Sequence, residues 1–85
     1  MGRIYYSLAI VEEARDQLRA LPKDRRRQIG QRLTQLQENL TGDVKKLVAN
    51  EPKYRLRVGK YRVLFRLEAS TIVVYAVKDR KEAYE

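Results

Sequence analysis

Residues 54–65 read Tyr-Arg-Leu-Arg-Val-Gly-Lys-Tyr-Arg-Val-Leu-Phe, with apolar and basic side chains alternating on both sides of a central Gly-Lys pair. Alternation with a period of two is typical of a half-buried β-strand. The Gly-Lys pair suits a two-residue hairpin turn, because glycine readily adopts the positive φ that such turns require. A two-residue turn opposes Val58 to Tyr61, and therefore also Arg57 to Arg62. The stretch predicts a β-hairpin of fixed register.

This register predicts two unlike faces, since opposed residues share a face and successive residues alternate between faces. The core face is apolar and consists of Leu56, Val58, Tyr61, Val63 and Phe65. The other, which we call the arginine face, carries Arg55, Arg57, Arg62 and Arg66. Directly opposed arginines are unfavourable unless an anion neutralises them. The arginine face is thus either an ordinary solvated surface or a concave cradle for phosphate, and the repulsion favours the cradle.

The sequence ahead of the hairpin predicts one strand and two helices. Residues 3–9 are rich in aromatic and β-prone side chains and predict a strand. Apolar residues at spacings of three and four then predict two amphipathic helices that meet at Pro22 and end before Gly42. The apolar stripes of the two helices are Val11, Ala14, Leu18 and Leu21, and Ile29, Leu33, Leu36 and Leu40.

The sequence after the hairpin predicts a third strand over residues 71–77. Continuing the register into this strand places Val74 and Ala76 in the core and Tyr75 on the arginine face. The chain is therefore expected to be a single α+β domain over residues 1–85. It would comprise an N-terminal strand, a two-helix hairpin and a three-stranded antiparallel meander, with the helices on one face of the sheet.

Composition excludes several classes of function. The 85 residues, 44% of them apolar, suffice for one modest core. The chain has neither cysteine nor histidine, which excludes thiol redox enzymes, protease triads and the usual zinc hydrolases. The carboxylates of residues 44–85 lack metal-ligand spacing, so we expect no metal and no cofactor. No long apolar segment or signal peptide is evident, and we expect a cytoplasmic protein without a membrane partner.

Charge points to a polyanionic partner. The net charge is +8, with twelve arginines and seven lysines, and most of the excess lies in residues 44–85. Arginine presents a planar fork of donors that matches phosphate oxygens. This excess of basic residues favours RNA or DNA over anionic lipid as the partner. By itself it indicates that the chain binds a polyanion, not that it catalyses a reaction on it.

In the hairpin and in the run that follows the third strand, the sequence resembles the RelE/ParE superfamily of toxins from toxin–antitoxin systems. The resemblance rests on residues 54–65 and on the later run Val-Lys-Asp-Arg-Lys-Glu-Ala-Tyr at 77–84. The helix ending Leu18–Pro22 and the Lys46-Leu47 pair fit the same pattern, so the resemblance covers essentially the whole chain. It implies a RelE-like compact domain. The RelE branch cleaves mRNA in the ribosomal A site, whereas the ParE branch poisons DNA gyrase and lacks the basic active-site set.

Carried over by position, the resemblance implies a set of site residues. The implied catalytic residues are Arg55, Arg57, Arg62, Arg80 and Tyr84. Beside them we expect four residues to bind RNA: Lys60, Arg66, Tyr75 and Lys81. In this scheme Arg62 clamps the scissile phosphate and Arg80 stabilises the leaving oxygen. Tyr84 orients or stacks on a base, although packing over the sheet edge is an alternative role for it. Tyr75 could equally stack on a base or fill space.

One departure from relatives concerns proton transfer. Some members carry lysine where this chain has Arg55 and Arg57, and an arginine is a poor proton acceptor. Many members also have Gly-His where this chain has Lys78-Asp79. Which side chain acts as general acid or base therefore stays open at the level of sequence. Tyr54 and Tyr61 fall on the core face and are expected to be packing residues.

The resemblance also implies partners. These are a cognate antitoxin, the ribosome with its mRNA, and operator DNA reached only through the toxin–antitoxin complex. The leading hypothesis is a metal-independent, ribosome-dependent endoribonuclease that inhibits translation. The alternatives are a ParE-like gyrase inhibitor and a basic domain that binds nucleic acid without chemistry.

Overall fold

The computed structural model describes residues 4–79, which form an α+β fold. In chain order the elements are β1 (Ser7–Ile10), α1 (Glu12–Arg19), α2 (Lys23–Leu36), β2 (Val44–Lys46), β3 (Lys53–Val58), β4 (Tyr61–Glu68) and β5 (Thr71–Asp79). They build one five-stranded sheet in the order β1-β5-β4-β3-β2. Strand β1 runs parallel to β5, and the other pairs are antiparallel. The predicted fold class is confirmed, although the sheet contains one strand more than expected.

The two helices cover one face of the sheet, as their apolar stripes predicted. Helix α1 carries glutamates in its first turn and Arg19 in its last, which suits the helix dipole. The chain turns at Pro22, whose φ of −57° leads directly into α2. Helix α2 buries Ile29, Leu33 and Leu36 and is shorter than predicted, because it ends at Leu36. Neither helix of residues 4–79 is long and apolar enough to cross a membrane.

The hairpin of β3 and β4 has the predicted register. Val58 opposes Tyr61, and Arg57 opposes Arg62. The turn between them places Gly59 at φ +59°, a value that an L side chain rarely adopts. All members of the predicted core face are buried: Leu56, Val58, Tyr61, Val63 and Phe65. The arginine face is therefore turned away from the helices.

A β-bulge between β4 and β5 changes one prediction. The register shifts after Leu64, which is opposed to Ala76, and this leaves Tyr75 without a Cα partner on β4. The expected place of Ala76 on the core face is therefore wrong, since Ala76, although buried, shares the arginine face with Leu64. Val77 takes the core position instead, while Val74 lies in the core as predicted.

Strand β2 is the element that the sequence did not reveal. It has only three residues, Val-Lys-Lys, and it extends the sheet beyond β3. Its register opposes Val44 to Leu56 and Lys45 to Arg55. The strand begins just after Gly42, which has φ +138° and lies so close to Leu56 that an added Cβ would meet its Cδ1 atom at 2.8 Å. A glycine at 42 thus allows β2 to approach β3.

Candidate nucleic-acid interface

The arginine face contains an open pocket of about 280 Å³ at the β2 edge of the sheet. We call it the basic pocket, and its lining residues are Lys45, Lys46, Leu47, Arg55, Arg57 and Arg62. Five of these six residues are cationic. The hairpin register brings Arg57 and Arg62 face to face, and β2 adds its lysines from the side. The pocket thus gathers three arginines that the sequence placed on one face.

Arg55 is the most deeply held of these cations. It is 8% exposed, and its Nη1 donates a hydrogen bond of 3.2 Å to the backbone oxygen of Asp43. The same Nη1 lies 3.6 Å from an oxygen of the Asp43 carboxylate. A buried guanidinium needs such partners, because an unpaired buried charge is strongly destabilising. Arg55 therefore ties the start of β2 to β3 in addition to contributing charge to the pocket.

Arg57 is more open to an incoming anion than Arg55. The Arg57 side chain is 48% exposed, and its Nε lies 3.9 Å from the carboxylate of Asp43, which is itself 55% exposed. Arg62 is half-buried directly opposite. An ion pair between exposed groups at this distance contributes little. Asp43 therefore neutralises Arg57 only weakly, and a phosphate would relieve the repulsion between the opposed guanidinium groups of Arg57 and Arg62.

Lys45 and Lys46 of β2 border the basic pocket, although neither was predicted from the sequence as a site residue. Lys45 is exposed and faces the same side as Arg55, its partner across the strands. Lys46 alternates to the other side, and its Nζ lies 5.9 Å from the centroid of the Tyr54 ring. The one sequence signal that pointed to these lysines is their position, since they are adjacent and lie shortly before the hairpin. Their relation to the arginines depends on β2, which was not predicted.

Two of the predicted RNA-binding cations do not line the basic pocket. The Nε of Arg66 donates to the Glu68 carboxylate at 2.5 Å. Lys60 lies in the turn, with its Nζ 3.9 Å from Asp79 and 5.7 Å from the Tyr61 ring centroid. Both cations are therefore partly neutralised by neighbouring carboxylates.

The tyrosines of the sheet divide as the sequence suggested. Tyr54 packs against the core with its ring 5.4 Å from that of Phe65, and Tyr61 is buried. Tyr75 is half-buried at the bulge and does not pack in the core cluster. The remaining predicted site residues, Arg80, Lys81 and Tyr84, lie outside the described residues.

A family model described as ParE toxin of type II toxin–antitoxin systems, parDE, matches residues 8–84. The chain belongs to this toxin family. A search of curated proteins found no match.

Several solved structures similar to this ParE-family toxin come from toxin–antitoxin complexes. A chain of the RelB–RelE antitoxin–toxin complex of Methanococcus jannaschii is 28% identical, with a TM-score of 0.76 over 89% of this chain and 94% of that one. A chain of the archaeal RelE–RelB complex of Pyrococcus horikoshii is 26% identical, with a TM-score of 0.77 over 94% and 100%. The RelBE2 complex of Mycobacterium tuberculosis shares the fold at 23% identity, with a TM-score of 0.78 over 91% and 100%.

The chemistry open to the toxin's basic pocket is that of anion binding and charge neutralisation. Guanidinium groups donate several hydrogen bonds in a fixed plane and suit phosphate oxygens. Preorganised donors of this kind stabilise negative charge that grows during phosphoryl transfer. Within residues 4–79, no three acidic side chains cluster as metal ligands would. The described pocket therefore offers cations as its functional groups.

Proposed function

We propose that this toxin is a ribosome-dependent endoribonuclease that cleaves mRNA in the A site and thereby inhibits translation. The observation that carries the proposal is the convergence of Arg55, Arg57 and Arg62 in one pocket. Opposed arginines are costly to a sheet that needs only a solvated surface. Functional sites commonly retain such unfavourable arrangements because the ligand relieves them.

RNA supplies its own nucleophile, which fits a pocket of cations. The 2′-hydroxyl attacks the adjacent phosphate in line, and the 5′-oxygen leaves. The protein has to hold that geometry and neutralise the charge that develops on the phosphate. In this proposal Arg62 clamps the scissile phosphate, and Arg57 neutralises charge near the attacking hydroxyl. Arg55 supports that charge from its buried position, while Arg80 stabilises the leaving oxygen and Tyr84 orients a base.

A cognate antitoxin is part of the proposal. The solved complexes to which the chain is similar pair RelE with RelB. A net charge of +8 suits an acidic partner that folds on the toxin surface and neutralises it. We further propose that the toxin acts in the cytoplasm and contacts operator DNA only through the complex with its antitoxin.

The rival function is inhibition of DNA gyrase, and the description of the matching family model favours it. That model is named for the ParE toxin. In the ParE branch the resemblance implies no basic active-site set, so the arginines would form only a positively charged surface. The two functions differ in a directly measurable way, since one breaks mRNA and the other blocks supercoiling.

The test combines purified toxin with ribosomes carrying a defined mRNA, alongside a gyrase supercoiling assay. We expect cleavage only when ribosomes are present, fragments with a 5′-hydroxyl, and unchanged supercoiling. Arg62→Ala is the control: it should remain folded and cleave about 100-fold more slowly, the scale for losing one transition-state donor. Intact mRNA with blocked supercoiling would establish the gyrase function instead. A folded, fully active Arg62→Ala protein would remove Arg62 from the site.

A further inference from the structure

The proposed cleavage needs a proton donor that the three arginines of the basic pocket do not supply. The leaving 5′-oxygen departs as a strongly basic alkoxide unless a side chain protonates it in the transition state. A guanidinium group donates hydrogen bonds but does not give up its proton in proteins. The pocket therefore requires another group if the chain itself assists departure of the 5′-oxygen.

Lys45 is placed to be that group. It lines the basic pocket beside Arg55, Arg57 and Arg62, and its register opposite Arg55 directs it to the arginine face. The ammonium group of a lysine carries three protons and can transfer one. Lys46 borders the same pocket, but its register opposite Tyr54 directs its side chain to the other face of the sheet.

The ion pairs of residues 4–79 further distinguish Lys45. Several basic residues near the hairpin have a carboxylate within 4 Å, including Lys53 with Glu51 and Lys60 with Asp79. Lys45 takes part in no ion pair within this part of the chain. It is exposed on a three-residue edge strand, and no carboxylate there holds it away from the pocket.

We propose that Lys45 is the general acid that protonates the leaving 5′-oxygen, an assignment that rests on the proposed endoribonuclease activity. The 2′-oxygen forms its bond to phosphorus while the bond from phosphorus to the 5′-oxygen breaks. The proton of the 2′-hydroxyl passes to solvent water, and one proton of the Lys45 ammonium passes to the 5′-oxygen. The neutral amine then recovers a proton from solvent. The products are a 2′,3′-cyclic phosphate and a 5′-hydroxyl.

The decisive variant is Lys45→Arg, which keeps the positive charge and removes the transferable proton. Single-turnover cleavage would be measured on ribosomes with two mRNAs. One is ordinary, and the other carries sulfur in place of the 5′-oxygen at the mapped cleavage site. A thiolate leaves without protonation, because the pKa of a thiol is only about 8.5. Lys23→Arg is the matched control, because Lys23 is exposed at the start of α2 and does not line the basic pocket.

We expect Lys45→Arg to cleave the ordinary mRNA about 100-fold more slowly than the wild type, the scale of general acid catalysis. It should cleave the sulfur-containing mRNA at close to the wild-type rate. Lys23→Arg should resemble the wild type on both. A slow Lys45→Arg reaction on both mRNAs would mean that Lys45 contributes through binding, which would overturn the assignment, and so would a normal rate on both.

These outcomes are separable from failure of the proposed function. If the wild-type toxin leaves ribosome-bound mRNA intact, the endoribonuclease proposal itself is wrong. If the wild type cleaves and Lys45→Arg cleaves the ordinary mRNA equally fast, only the role of Lys45 is wrong. Circular dichroism of each variant confirms folding before the rates are compared.

Discussion

Arg55 and Arg57 stand two residues apart on the same face, yet their surroundings give them different roles. Arg55 is buried and holds both the backbone oxygen and the carboxylate of Asp43, whereas Arg57 is half exposed with one distant contact. Arg55→Ala should lower the free energy of unfolding by about 1–3 kcal/mol, because it removes a buried side chain together with its hydrogen bond and ion pair to Asp43. Arg57→Ala should change that free energy by less than about 0.5 kcal/mol. Urea unfolding of both variants measures the difference.

Comparing Arg55→Ala with Arg57→Ala controls for net charge, since each variant loses one positive charge from the same pocket. Equal losses of stability would mean that the tie from Arg55 to Asp43 contributes no more to stability than the exposed side chain of Arg57 does. A stable Arg55→Ala protein would show that β2 holds its place without this contact.

At the level of single residues, the sequence predicted which face of the sheet a side chain occupies better than it predicted which residue that side chain contacts. The Gly59-Lys60 turn was enough to oppose Arg57 to Arg62, because a two-residue loop leaves no freedom of register. The tie between Arg55 and Asp43 could not be predicted, since it joins residues across an unrecognised strand. Lys45 escaped notice for the same reason.

At the scale of elements, strand β2 completes the site, and its approach to β3 depends on Gly42. Gly42→Ala would force a side chain into φ +138° and bring a Cβ within 2.8 Å of the Leu56 Cδ1 atom. We expect this variant to lose more than about 1 kcal/mol of stability. Because β2 carries Lys45, cleavage should fall as well. Urea unfolding and single-turnover cleavage measure the two effects.

Gly30→Ala is the matched control for this prediction. Gly30 lies on the exposed side of α2 with no atom within 4 Å of a Cβ built there, and its φ is ordinary. Alanine should therefore stabilise the helix by about 0.5–1 kcal/mol and leave cleavage unchanged. Similar losses from both variants would contradict the special role of the close approach at Gly42.

The two element-scale features that the sequence did not disclose have physical reasons. Strand β2 is three residues long, too short for an alternating pattern to be recognised. The bulge that makes Tyr75 an extra residue lies in an uninterrupted β-prone run, with no glycine to mark it. A shift of one residue reverses the face of everything beyond it, which is why Ala76 and Val77 exchanged their expected places.

At the scale of the whole molecule, the positive charge of residues 4–79 is spread over both faces of the sheet, and the arginine face concentrates part of it in the basic pocket. Helix α2 carries exposed cations, among them Arg25 and Arg26, on the other side of the sheet. Net charge alone would let either side attract RNA. If the basic pocket is the nucleic-acid interface, its cations should release counterions from RNA, whereas those of α2 should not.

Salt dependence distinguishes the two cases. With a single-stranded RNA oligonucleotide and no ribosomes, a plot of log K against log salt concentration should be linear. Its slope should fall in magnitude by about 0.7 for each phosphate that the protein no longer neutralises. We expect that reduction for Lys45→Ala and for Arg57→Ala, measured by fluorescence anisotropy from low to moderate ionic strength. Arg25→Ala and Arg26→Ala remove the same charge from α2 and should keep the wild-type slope. An equal reduction in all four variants would mean that the overall charge attracts the RNA, and the basic pocket would no longer qualify as a defined binding site.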